Sequence, residues 1–179
     1  MVGRRIAGDR PEIRFRFEVL QFAKLSEPLR DFAPQPQRAI CRYTCHRAWK
    51  VRAALAGRTH LTVISEIKRR SPSKGDLNAS LDPVQLARDY ERGGASCLSV
   101  LTDEEFFGGS VDDLRAARAA CALPVLRKDF TVCERDVLDA RLMGADCVLL
   151  IAAALDRAEL VALHRLAVEV GLDVLVEIH

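Results

Sequence analysis

A chain of 179 residues, 49% hydrophobic and 29% charged, has the size and composition of a soluble globular domain rather than a disordered segment. The longest uncharged apolar stretch, 147–155, falls far short of the ~20 residues of a membrane-spanning helix, and no apolar run of about 7–15 residues follows the basic opening to mark a secretory signal. The net charge of +2 hides an asymmetry: residues 1–60 carry 13 Lys/Arg against 5 Asp/Glu, and residues 61–179 carry 14 against 20.

That asymmetry suggests two regions. Residues 1–49 show only a weak alternation at Arg14–Phe22 and a proline loop around Pro34 and Pro36. They are expected to form a divergent, irregular segment. A basic arm for nucleic acid would interleave aromatic with basic residues. None of that type is present, so no nucleic-acid partner is expected. Cys41, Cys45 and His46 would need a second pair of ligands to hold zinc, and none lies nearby. The other cysteines, Cys97, Cys121, Cys133 and Cys147, sit in apolar or helical stretches, as reduced thiols do. A cytoplasmic chain without a disulfide framework is expected.

From about Leu61 onward the pattern becomes regular, within a second region taken as residues 50–179. Apolar runs at Leu61–Ile67, Cys97–Leu101, Pro124–Leu126, Cys147–Ile151 and Val174–Ile178 lack polar alternation, which predicts strands buried on both faces. Helices are predicted between them. Asp82, with Pro83 and Gln85, caps the first, and Gly93 follows its end. Ser110 with Asp113 opens the second. Glu134–Met143 forms a third, stopped by Gly144. Asp156 with Glu159 caps the fourth, which ends at Gly171. This β-α alternation predicts a parallel α/β fold. It leaves an open doubly wound sheet and a (β/α)₈ barrel as alternatives. Charged residues at the strand ends favour the barrel, where such residues converge on one site.

Four stretches carry chemistry. Alternation puts Glu66 and Lys68 on one side of the first strand, ahead of the basic, serine-containing loop Arg69–Gly75. That loop is suited to an anionic group, and equally to plain solvation. Arg127, Lys128 and Asp129 are consecutive, so at least one points inward if the strand reaches them. Glu177 interrupts an apolar strand, where burial would favour a base and a structural ion pair is the alternative. The stretch Thr102–Ser110 offers two aromatics before a Gly-Gly turn, as a ligand wall or as loop packing.

The segments I-S-E-I-K-R-R-S-P-S-K-G (64–75), L-S-V-L-T-D-E-E-F-F-G-G-S (98–110), L-P-V-L-R-K-D-F (123–130), G-A-D-C-V-L-L-I-A-A (144–153) and L-V-E-I-H (175–179) resemble the indole-3-glycerol-phosphate synthase family in order and spacing. The resemblance covers about residues 50–179. It implies an incomplete (β/α)₈ barrel containing about five of eight strands. It also implies a carboxy-lyase of tryptophan biosynthesis, acting on 1-(2-carboxyphenylamino)-1-deoxyribulose 5-phosphate, with no metal or organic cofactor. By position, Lys128 matches the general acid for ring closure and Glu177 the acidic residue of dehydration. Lys68 matches the lysine that holds the substrate's anionic groups and can donate a proton, and Glu66 the acid that orients the site. Ser71 and Pro72 match the pocket loop, and Phe107, Phe130 and Leu149 the apolar walls. The family's sixth to eighth strands, with their Asn, Arg and phosphate-gripping loops, have no counterpart in this sequence, and residues 1–49 do not resemble its helical extension. A misassigned start or shifted frame would explain the missing periodicity and the basic charge of that segment. Two further readings are an inactive remnant of the enzyme and a related phosphoribosylanthranilate isomerase-type barrel. The oligomeric state is open.

Overall fold

A computed structural model describes residues 51–56 and 59–178. The alternation at 14–22, the Pro34/Pro36 loop and the Cys41–His46 cluster lie outside these residues. A short helix, α1 (Val51–Leu55), precedes strand β1 (Ile64–Ile67). A hairpin of β2 (Arg70–Ser71) and β3 (Gly75–Asp76) follows. The chain continues through α2 (Pro83–Arg92), β4 (Cys97–Leu101), α3 (Glu104–Phe107), α4 (Val111–Ala120), β5 (Val125–Lys128), α5 (Glu134–Met143), β6 (Cys147–Ile151), α6 (Arg157–Glu169) and β7 (Asp173–Glu177).

Strands β1, β4, β5, β6 and β7 form one parallel sheet, and their spatial order is their chain order. A doubly wound sheet reverses direction at a switch point. Here every crossover advances the same way, which is the winding of a (β/α)₈ barrel, present as an unclosed arc of five strands.

Each strand is buried on both faces by different partners. Ile67, Leu98, Val100, Val125, Val148 and Leu150 pack against Ala87, Leu114, Ala117, Val137, Ala140, Leu163 and Ala167 of the helices. Burying one such leucine or valine contributes about 1.5–3 kcal/mol. The alternate residues Cys97, Leu126, Cys147, Leu149 and Leu175 face inward, joined by Val51 of α1. The first of these is near the start of β4, and Asp173 at the start of β7 accepts the Arg52 N–H at 3.0 Å, so α1 sits at the amino ends of the strands. Burial holds the Cys97 and Cys147 thiols well above their usual pKa, keeping them protonated.

The helix signals were only partly reciprocal. Asp156 and Glu159 exchange both bonds of a capping box, at 2.8 and 2.9 Å. Asp82 accepts the Val84 N–H at 2.9 Å, but Gln85 turns to Asp89 instead of back to the cap. Ser110 accepts the Asp113 N–H at 3.1 Å, while the Asp113 carboxylate leaves to pair with Arg69. One position was unforeseen. Asp136 accepts the N–H groups of Val132 and Cys133 at 2.9 and 3.0 Å, bracing the start of α5. Burial works against its charge, yet those two donors, the Cys133 thiol and nearby Arg127 outweigh it and hold the carboxyl below its usual pKa.

Asp146 joins two β/α units. Its carboxylate accepts the Val125 N–H at 2.9 Å and pairs with Arg118 of α4, and its carbonyl accepts the Asp173 N–H at 2.9 Å. Asp146→Ala strips both side-chain partners at once, and urea unfolding should show a loss of about 2–3 kcal/mol. For Asp136 the folded pKa lies below the unfolded one. Its contribution is therefore present above about pH 4 and lost as the pH falls through the lower, folded value. Asp136→Asn should flatten the acid limb of stability against pH, while a limb unchanged by the substitution would show that this carboxylate does not drive it.

Candidate active site

Parity decides which charges face inward. Ile67 points to the helices and is 2% exposed, so Glu66 and Lys68 on either side of it turn to the inner face. They meet as an ion pair at 2.5 Å. The Glu66 carbonyl is held by the Tyr90 hydroxyl of α2 at 2.9 Å. Burial, with the Glu66 charge adding to it, pushes that phenol up to about 12, so it remains a donor at neutral pH.

Strand β5 runs two residues beyond the apolar run, to Lys128. Leu126 faces inward and Val125 faces the helices, so Lys128 goes in and Arg127 out. Lys128 Nζ meets Glu177 Oε2 of β7 at 2.8 Å. Neighbouring strands lie about 4.8 Å apart, and β6 stands between these two. Only a long side chain reaches across, over the inner face that carries Leu149 and Ile151. Lys128 and Glu177 keep about a fifth of their side-chain surface, as Glu66 and Lys68 roughly do. Partly buried pairs of this kind contribute little net stability. Two lysine–carboxylate pairs thus stand at the carboxyl ends of the strands.

A fifth polar group was missed from sequence. Ser99, the one polar residue of Cys97–Leu101, is 3% exposed, and its hydroxyl has no hydrogen-bond partner among the described residues. It lies in register with Glu66 on one side and inward-facing Leu126 on the other. The available signal was its even spacing between inward Cys97 and Leu101.

Two loops stand over the strand ends. Arg69–Gly75, read as a plain loop, is largely a hairpin. Arg69 anchors it to Asp113 and to the Leu81 carbonyl at 3.0 Å, and Arg70 reaches the Glu104 carbonyl at 2.9 Å. Ser71 is half-buried and Pro72 exposed in its turn. In the second loop Asp103 caps α3 through the Phe106 N–H at 2.7 Å. The observed aromatic contact is Phe106 against Phe130, edge-on with centroids 6.4 Å apart. Phe107 is half-buried beside it. Leu149 is 1% exposed in the inner cluster, lining the floor between Lys128 and Glu177. The second loop returns at Gly109, where a Cβ would overlap the Leu101 carbonyl oxygen and lie 2.6 Å from its carbon. Among the described residues no group of three or more His, Cys, Asp or Glu is placed to hold a metal ion, and no helix is long and apolar enough to cross a membrane.

Residues 28–179 match the protein family described as "Indole-3-glycerol phosphate synthase". Two curated relatives carry that same name. The protein of Bordetella pertussis strain Tohama I is 59% identical over 117 residues, 65% of this chain and 45% of its own length. That of Polaromonas sp. strain JS666 is 58% identical over 117 residues, 65% of this chain and 44% of its own length. The chain thus spans somewhat less than half the length of these relatives. The matched region includes the whole described sheet and both lysine–carboxylate pairs, and the chain belongs to the indole-3-glycerol phosphate synthase family.

Proposed function

We propose that this chain supplies Lys128, Glu177, Lys68 and Glu66 to an indole-3-glycerol-phosphate synthase site. The observation that carries the reading is the pair of lysine–carboxylate contacts on one inner face, at the strand ends. The substrate, 1-(2-carboxyphenylamino)-1-deoxyribulose 5-phosphate, is anionic at its carboxylate and phosphate. Lys68, released from Glu66, meets that charge. Lys128 gives a proton to the ribulose carbonyl oxygen as the ring carbon attacks the carbonyl carbon. Closure is followed by departure of the ring carboxylate as CO₂. The new hydroxyl then takes a proton from Lys68 and leaves as water, while Glu177 accepts the proton removed from the ring system. A pocket with a floor of Leu149 and walls of Phe107 and Phe130 keeps water from these charges and strengthens them. Ser71 and Pro72 border its mouth. No step calls for a metal or an organic cofactor. A reduced, cytosolic setting suits the buried thiols of Cys97 and Cys147.

The arc is open, and this favours a second reading in which the chain binds ligand without turning it over. Both are tested on the 179-residue chain. Formation of indole-3-glycerol phosphate, with a rate that falls at least about 10²-fold in Lys128→Met, supports the enzyme. Fluorescence-detected binding of indole-3-glycerol phosphate without turnover supports the second reading. Turnover of phosphoribosylanthranilate instead would replace both with an isomerase.

Lys68→Met removes one charge-assisted contact to the ligand, so affinity for indole-3-glycerol phosphate should drop about 10- to 100-fold. Unchanged affinity would take Lys68 out of the binding site.

A further inference from the structure

Arg127 stands next to Lys128 and points the other way. It is 8% exposed on the helix side of the sheet, and a guanidinium cannot shed its charge there. Each of its three nitrogens donates to a group of the scaffold. Nε donates to the Thr102 hydroxyl at 3.1 Å, one terminal nitrogen to the Asp136 carbonyl at 2.8 Å, and the other to the Asp129 carboxylate at 2.8 Å. The Thr102 hydroxyl accepts from Arg127 and passes its own proton to the same Asp129 oxygen. The second Asp129 oxygen accepts the Phe130 N–H at 2.8 Å. The Thr102 N–H is also directed at the Lys128 carbonyl, at 3.3 Å.

Lys128 is thereby held from both sides. The residue before it and the residue after it are tied to each other and to Thr102, and its own carbonyl is tied to the same threonine. Arg127 itself reaches away from the inner face, to the Asp136 carbonyl of α5. We propose that Arg127, Asp129 and Thr102 are a positioning network for the reaction, fixing the backbone at residue 128 so that its amine extends over β6 to Glu177 and Phe130 stays against the site. The proposal rests on the role given to Lys128 above.

A network that only braces the fold would lower stability without altering how Lys128 meets Glu177. The two cases are separated by a double-mutant cycle on the 179-residue chain. Lys128→Met, Glu177→Gln and the double variant, measured by urea unfolding, give the coupling between the two residues. With Thr102 present the coupling should be about three- to tenfold in the folding equilibrium constant. It should vanish in Thr102→Val, which keeps the shape and drops the hydroxyl, and in Asp129→Asn. It should return in Thr102→Ser. If Thr102→Val does not fold, Asp129→Asn and Thr102→Ser complete the comparison, together with the order of the Lys128 ε-methylene by NMR relaxation. Coupling retained in Thr102→Val or Asp129→Asn overturns the positioning role, whether or not the chain turns over substrate. Turnover is the second arm: kcat should fall at least tenfold in Thr102→Val with KM within twofold, and recover in Thr102→Ser. Absent turnover in the parent, with the coupling behaving as described, overturns the proposed reaction and leaves the positioning standing.

Discussion

In a strand covered on both sides, neighbouring residues have no choice but to part company. That two-residue period governs this molecule. It sends Val125 to the helices, Leu126 to the inner face, Arg127 to the helices and Lys128 to the inner face. The same rule separates Ile67 from Glu66 and Lys68. A slip of one residue in β5 would expel the lysine from the site and press a guanidinium into the inner apolar cluster. The apolar residues low in each strand therefore set the direction of the charged residues at its end, and the hydrophobic core and the chemistry share one register.

The two faces use different cations. On the helix side the paired charges are arginines: Arg127 with Asp129, Arg69 with Asp113, Arg118 with Asp146. Arg69 and Arg127 also donate to backbone carbonyls, and Asp129 and Asp146 accept backbone N–H groups, so the pairs lock strand ends and loops. A planar fork with many fixed donors suits that task. On the inner face the cations are lysines, each with one carboxylate partner. An ammonium on a flexible stem can leave its partner for a ligand and can give up a proton. The division follows the chemistry of the two side chains. It separates the exchangeable pairs of the inner face from the fixed pairs of the outer one.

The strand and helix alternation was legible because its signals are local: apolar runs, Asp156 with Glu159, and glycine after the helices at Gly93, Gly144 and Gly171. What depends on distant partners was not. Asp113 was placed in a capping box, but Arg69, 44 residues away, takes its carboxylate. The basic loop gave no period-2 signal because its hairpin strands are two residues long. Three consecutive charges at 127–129 left their directions open until the β5 register resolved them. The bond of Arg127 to Thr102 left no trace in the sequence because it joins residues 25 positions apart. Glu66, Lys68, Lys128 and Glu177 were named from sequence and gather as two pairs. Ser99 was hidden by the apolar residues around it.

Gly109 carries a consequence of another sort. The obstruction to a Cβ there is the Leu101 carbonyl, main chain rather than a side chain that could rotate away. Relief would require moving the end of β4 itself, and with it the pairing of Leu101 to Lys128. The segment between Thr102 and Gly108 therefore returns to the sheet at a point where only glycine fits, and any larger residue there would shift strand β4 rather than the loop.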